Sequence, residues 1–131
     1  MKTLVVEDDF TCRLLLQGFL SGYGECHIAV TGKEAVGAFT MATESKSPYD
    51  LICMDILMPE MDGRDALAQV RALEESYGVH SNRAARIIMT TALGNLKEVT
   101  RSFAALCDAY LVKPIDTAEL LRHLKALQLV E

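Results

Sequence analysis

The chain has 131 residues, half of them apolar and 24% charged, with a formal net charge of −5. That length suits one ordinary domain around one core, and the composition excludes a disordered chain. The acidic balance argues against general affinity for nucleic acid or for an anionic membrane surface.

The four cysteines, Cys12, Cys26, Cys53 and Cys107, form no Cys-x-x-Cys pair, so neither a zinc knuckle nor a thioredoxin-like motif is signalled. Each lies in or beside an apolar stretch, as expected of buried, reduced thiols. Met1-Lys2-Thr3 runs into a strand pattern with no signal-peptide organisation. No apolar stretch approaches the ~20 residues that cross a bilayer. The expected location is cytoplasmic, without membrane insertion.

In chain order, the first apolar run is TLVV (Thr3 to Val6), followed by a helical stretch with Cys12, Leu15, Leu16, Phe19 and Leu20 over a wide arc and Leu14 outside it. CHIAV (Cys26 to Val30) is the second run. Thr31-x-x-Glu34 then has the pattern of a capping box, opening a helix with Ala35, Val36 and Phe39 on one face. LICM (Leu51 to Met54) is third, followed by a helix with Ala66, Val70 and Leu73 on one face and a stop at Gly78. The polar stretch Gly78 to Arg86 reads as an extension of that helix, a partner loop bearing Arg83 and Arg86, or a plain surface insertion. RIIMT (Arg86 to Thr90) is fourth; Asn95-x-x-Glu98 then caps a helix with Val99, Phe103 and Leu106 in phase. AYLV (Ala109 to Val112) is fifth, and Asp116-x-x-Glu119 opens a last helix carrying Leu120, Leu124 and Leu127. Runs without polar alternation suit strands covered on both faces. Five strand–helix units predict an α/β fold: a doubly wound five-stranded parallel sheet with five helices, in one domain over 1–131.

Ligand sites in such sheets lie beyond the carboxyl ends of the strands. There the chain places Glu7-Asp8-Asp9, Asp55, Thr90-Thr91 and Lys113-Pro114. Clustered acids repel one another, and a hard divalent ion with oxygen ligands relieves the repulsion; Mg²⁺ keeps several waters and binds phosphate oxygens as well. With Lys113 as a second positive charge, Thr91 as a hydroxyl donor and Asp55 as an aspartyl nucleophile, these are the parts for moving a phosphoryl group. The bland alternative is that the acids merely cap the next helix.

LVVEDD, MDILMPEMDG, TTA and YLVKP, in this order, resemble the response-regulator receiver family of two-component signalling over nearly the whole chain. The resemblance implies a flavodoxin-like fold with strand order 2-1-3-4-5. It also implies Asp55 as phosphoacceptor, Asp8 as direct metal ligand, Glu7 acting through water, and Asp9 beyond the metal's direct ligands. Leu57 would give its backbone carbonyl to Mg²⁺, or to Mn²⁺ in its place. Thr91 would be the switch hydroxyl, Lys113 the phosphate-pairing ammonium before a cis proline, and Tyr110 the aromatic switch that turns inward. Thr90 is the competing hydroxyl, set aside because strand alternation is expected to point it the other way.

The resulting expectation is a self-phosphorylating switch, not a turnover enzyme. It receives phosphate from a sensor histidine kinase or histidine phosphotransfer protein and re-presents the fourth and fifth helices and fifth strand to a downstream protein, with no direct nucleic-acid contact. No output domain is expected within these 131 residues, and the receiver is either freestanding or cut from a longer regulator or hybrid kinase. Three rivals are weaker. An aspartyl phosphatase needs a second acid where Leu57 stands, a constitutive module would not need the intact acids and lysine, and a flavodoxin-like cofactor binder would place a phosphate-cradling loop where the acids are. Leu57 and Leu93, two residues past Asp55 and Thr91, cannot hydrogen-bond an attacking water and predict slow loss of the phosphoryl group. The excess apolar surface of the first helix, Leu14 and Leu15 included, predicts a docking patch for the phosphodonor.

Overall fold

Strand formation follows the apolar runs closely. The computed structural model describes residues 1–58, 61–79, 82–92 and 106–131. Its elements are β1 (Thr3–Val6), α1 (Phe10–Leu20), a 3₁₀ turn (Ser21–Tyr23), β2 (Cys26–Ala29), α2 (Gly32–Glu44), β3 (Leu51–Asp55), α3 (Gly63–Ser76), β4 (Arg86–Thr91), β5 (Ala109–Val112) and α4 (Thr117–Ala126). The helix expected after Asn95, together with Leu93, lies outside the described residues. All neighbouring strands pair parallel, in the order β2-β1-β3-β4-β5. Both predicted features, the doubly wound parallel sheet and its strand order, are present.

Two cores follow from the pleat. Leu4, Val6, Ile52, Met54, Ile87 and Met89 face α2 and α3, where Ala35, Phe39, Ala66 and Val70 meet them. Val5, Leu51, Cys53, Ile88 and Leu111 face α1 and α4, where Leu16, Leu20, Leu120 and Leu124 cover them. Strands covered on both sides need no polar alternation, which is why the runs are continuous.

The helix starts are capped by side chains, as the sequence suggested. Thr31 accepts from Glu34 N (3.1 Å) and Asp116 from Ala118 N (2.9 Å). Asp9 caps α1 through Cys12 N at 2.8 Å, so one acid of the first cluster takes the bland role. Asp62, not anticipated as a cap, accepts from the N–H groups of Arg64 and Asp65 at the start of α3.

α3 ends at Ser76, with Gly78 at φ +72°, so the polar stretch does not extend the helix. A left-handed residue there suits glycine and closes the helix. The stretch is anchored instead: Glu74, 5% exposed, accepts from Ala85 N at 2.7 Å and from Arg71 at 2.7 Å. Arg71 also donates to the carbonyls of Ala85 (2.8 Å) and Leu106 (2.7 Å), and pairs with Asp108 at 3.1 Å. Arg86 belongs to β4 and lies 3.8 Å from Asp108.

All four cysteines are free, although only Cys53 is fully buried; Cys12, Cys26 and Cys107 are half-buried.

Candidate functional site

The carboxyl ends of β1, β3 and β5 deliver three charged groups to one place. Glu7 follows β1 and has no exposure, Asp55 ends β3 at 5% exposure, and Lys113 follows β5. The Lys113 ammonium lies 2.7 Å from Glu7 Oε1 and 3.2 Å from Asp55 Oδ2. Leu57 N–H donates to Asp55 Oδ1 at 3.3 Å, and Asp9 N–H to Glu7 Oε2 at 3.2 Å. The Lys113-Pro114 bond is cis, as the resemblance implied.

The turn after Asp55 is shaped by a close approach of backbone. Gly63 N–H donates to Ile56 O at 2.7 Å, and a Cβ on Gly63 would stand 2.1 Å from Asp55 O. Only glycine lets α3 start this near the acid.

Burial sets the charges against one another. It pushes the Glu7 carboxyl up, but hydrogen bonds from Lys113 and Asp55 outweigh it and hold the group below its ordinary range. Burial raises Asp55 as well, and there the hydrogen bond and charge of Glu7 add to it, outweighing Lys113 and leaving Asp55 at about 7. Burial would lower Lys113, yet the two acids raise it. Cys12, beside Glu7, is pushed up to about 12 by burial and then by Glu7, so it is an unreactive thiol.

Two acids thus compete for one ammonium, with exposed Asp8 adjacent. Glu7, Asp8 and Asp55 each offer an oxygen, all within 4.8 Å of one another. An all-oxygen donor set short of positive charge fits a hard divalent cation such as Mg²⁺.

One expectation is reversed. The β3–β4 register pairs Asp55 with Thr90, and directly paired residues share a face of the sheet, so Thr90 lies on the Asp55 side. Thr91 lies on the opposite face, at the strand's end, and its hydroxyl donates to Ala92 O at 3.1 Å. Alternation does separate the two threonines; its phase, set by the register, is the opposite of that assumed. Tyr110, paired with Met89, shares the face of Thr91, packs with Cys107 on the α3 side, and already has its hydroxyl oxygen buried. Burial, then Cys107, raises its phenol. Counting both strands from their starts, Leu51 against Arg86, would have found the Thr90 position.

A family model for the response regulator receiver domain matches residues 3–125. The chain belongs to that family. As a receiver it is a phosphorylation switch rather than a catalyst acting on external substrates. It is 32% identical over 136 residues to the histidine kinase CKI1 of Arabidopsis thaliana, covering 95% of this receiver and 12% of CKI1. It is 34% identical over 127 residues to the transcriptional regulatory protein ResD of Bacillus subtilis, covering 96% of the receiver and 47% of ResD. The chain therefore spans less than half of either relative.

Among solved structures, the CKI1 receiver domain complexed with Mg²⁺ and BeF₃⁻ superposes with TM-score 0.73 at 32% identity, covering 95% of this chain and 89% of that one. The receiver domain of Saccharomyces cerevisiae Ssk1, crystallised with the histidine phosphotransfer protein Ypd1, gives TM-score 0.77 at 26% identity over 93% and 84%. Among the described residues no helix is long and apolar enough to cross a membrane.

Proposed function

We propose that residues 1–131 form a single phosphoacceptor domain in which Asp55 takes the phosphoryl group. The observation that carries this reading is the buried Asp55 carboxylate held 3.2 Å from Lys113 within the Glu7–Asp8–Asp55 acid cluster. An Asp55 oxygen attacks phosphorus, a new O–P bond forms, and the P–N bond of a phosphohistidine breaks. The departing ring nitrogen keeps the electron pair. Lys113 moves with the new negative charge, and Thr91, at the end of β4, is the hydroxyl that closes on it. Thr91 and Tyr110 share one face, so a shift at the first is felt by packing at the second. Asp8 and Asp55 directly, Glu7 through water and the Leu57 carbonyl would hold Mg²⁺, or Mn²⁺ in its place. Bound there, the cation supplies charge neutralisation for phosphoryl oxygens.

The donor is a histidine kinase or histidine phosphotransfer protein. In its support, Phe10, Leu14 and Leu15 of α1, the helix that follows Glu7-Asp8-Asp9, are exposed at 64, 51 and 38%, and Leu57, two residues past Asp55, at 55%. An apolar cleft of about 420 Å³ also runs between Leu15, Lys113 and Ile115. Four free thiols suit the cytoplasm as the working compartment. The output is a changed surface offered to a downstream protein, with no direct nucleic-acid contact. Such a switch needs only to bias an existing equilibrium.

Incubation with acetyl phosphate and Mg²⁺, read by intact mass, tests the reading. One phosphoryl group is expected on the native protein and none on Asp55→Asn. Equal uptake by the two proteins would overturn it.

A further inference from the structure

At the carboxyl end of the sheet, one more polar side chain is buried on the face that carries Glu7, Asp55 and Lys113. Thr90 is 1% exposed and pairs in register with Asp55 on one side and Leu111 on the other. Its hydroxyl oxygen is buried and has no hydrogen-bond partner among the described residues. Such groups are rare because leaving a buried hydroxyl unpaired costs ~1–3 kcal/mol. Valine would fill the same space with no polar atom to satisfy.

The strand order explains what this hydroxyl can meet. β4 lies between β3, which ends in Asp55, and β5, which Lys113 follows. Lys113 comes two residues after Leu111, the partner of Thr90. To bring its ammonium within 3.2 Å of Asp55 and 2.7 Å of Glu7, the lysine side chain has to pass the carboxyl end of β4, the strand that carries Thr90. An ammonium has three N–H donors, and two acid oxygens lie within ion-pair distance of it, which leaves at least one N–H to spare. The Thr90 oxygen, on the same face of that strand as Asp55, has lone pairs to offer an N–H.

We propose that Thr90 is a positioning residue for Lys113. When a phosphoryl group occupies Asp55 and the ammonium turns from the carboxylate to the phosphoryl oxygens, the Thr90 hydroxyl accepts one N–H and holds the amine on that line. The hydroxyl, without a partner among the described residues, gains one when the phosphoryl group is loaded. The role is distinct from that of Thr91, on the opposite face, and it rests on Asp55 being the acceptor.

Beryllofluoride binding in the presence of Mg²⁺, measured by calorimetry on wild type, Thr90→Val and Thr90→Ser, tests it alongside Mg²⁺ titrations alone and thermal melts. Thr90→Val is expected to bind beryllofluoride about tenfold more weakly. Thr90→Ser should stay within about twofold of wild type. All three should bind Mg²⁺ alike, and the valine variant should melt no lower than wild type. Beryllofluoride binding by Thr90→Val as tight as wild type would overturn the inference. So would an equal loss of Mg²⁺ affinity, which would mean a loosened site instead of a misplaced amine. A wild type that binds Mg²⁺ but no beryllofluoride would defeat the phosphoacceptor reading itself, a result separable from failure of the Thr90 role alone.

Discussion

The ammonium of Lys113 sits 2.7 Å from Glu7 Oε1, and the glutamate it neutralises has no exposure to solvent. Removing one partner of a buried pair leaves an uncompensated charge, at a typical cost of ~3–5 kcal/mol. Lys113→Met is therefore expected to lower unfolding free energy in chelator-treated buffer by about 3 kcal/mol. Urea denaturation reads this directly, and an unchanged midpoint would show that the acids do not depend on the amine for stability.

Asp62 holds the start of α3 against the turn after Asp55. Burial pushes its carboxyl up, but the Arg64 side chain and the N–H groups of Asp65 and Arg64 outweigh that and hold it below the ordinary range. Stability from a lowered acid is fully present above its unfolded pKa and fades as pH falls through the folded value. Asp62→Ala should cost ~1 kcal/mol from about pH 5 to 8, with the gap to wild type closing below about pH 4. Denaturation across a pH series checks both parts; a gap that widened in acid would contradict the sign.

Arg71 ties α3 to the beginnings of β4 and β5 through Glu74, Ala85, Leu106 and Asp108. Arg71→Leu strands the buried Glu74 carboxylate and frees two carbonyls. The expected loss is about 3–5 kcal/mol. Hydrogen exchange should show the Ala85 amide, which donates to Glu74, losing protection. Unaltered protection at Ala85 would mean that Glu74 keeps its place without the arginine.

Leu57 is 55% exposed next to Asp55 and presents a side chain that cannot orient water. The phosphorylated protein should therefore be long-lived. Leu57→Asn should hasten loss of the phosphoryl group about tenfold, the equivalent of one ordinary hydrogen bond to the attacking water. Timed intact-mass measurements would decide this, and equal lifetimes would remove the role.

Leu14 and Leu15 lie on the solvent side of α1, at 51 and 38% exposure. The pair Leu14→Asp, Leu15→Asp is expected to slow transfer from a phosphohistidine donor protein at least about tenfold, as loss of an apolar anchor does. Uptake from acetyl phosphate should be unaffected. Transfer at the wild-type rate would place the donor elsewhere.

What could be read in advance is what depends on near neighbours. Continuous apolar runs, helical spacing such as Ala35 with Phe39, and caps such as Thr31 and Asp116 act over a few residues, and the structure has them where the pattern put them. Asp55 directly after an apolar run was visible for the same reason. Asp62 was missed as a cap because its neighbourhood is dominated by turn residues, not by helical periodicity.

The rest was settled by groups far apart in the chain. Whether Thr90 or Thr91 faces Asp55 depends on how β3 and β4 pair, and a shift of one residue in that pairing would exchange them. Arg71 reaches partners 35 and 37 residues away, and Lys113, after β5, reaches past the ends of β4 and β3 to meet Glu7 after β1. Sequence alone determined which elements form and which end of the sheet is charged, because local propensity and burial suffice for that. Only the tertiary structure decided which side chains share a face and which charges are paired, because register and long-range contact exist only once the strands have met.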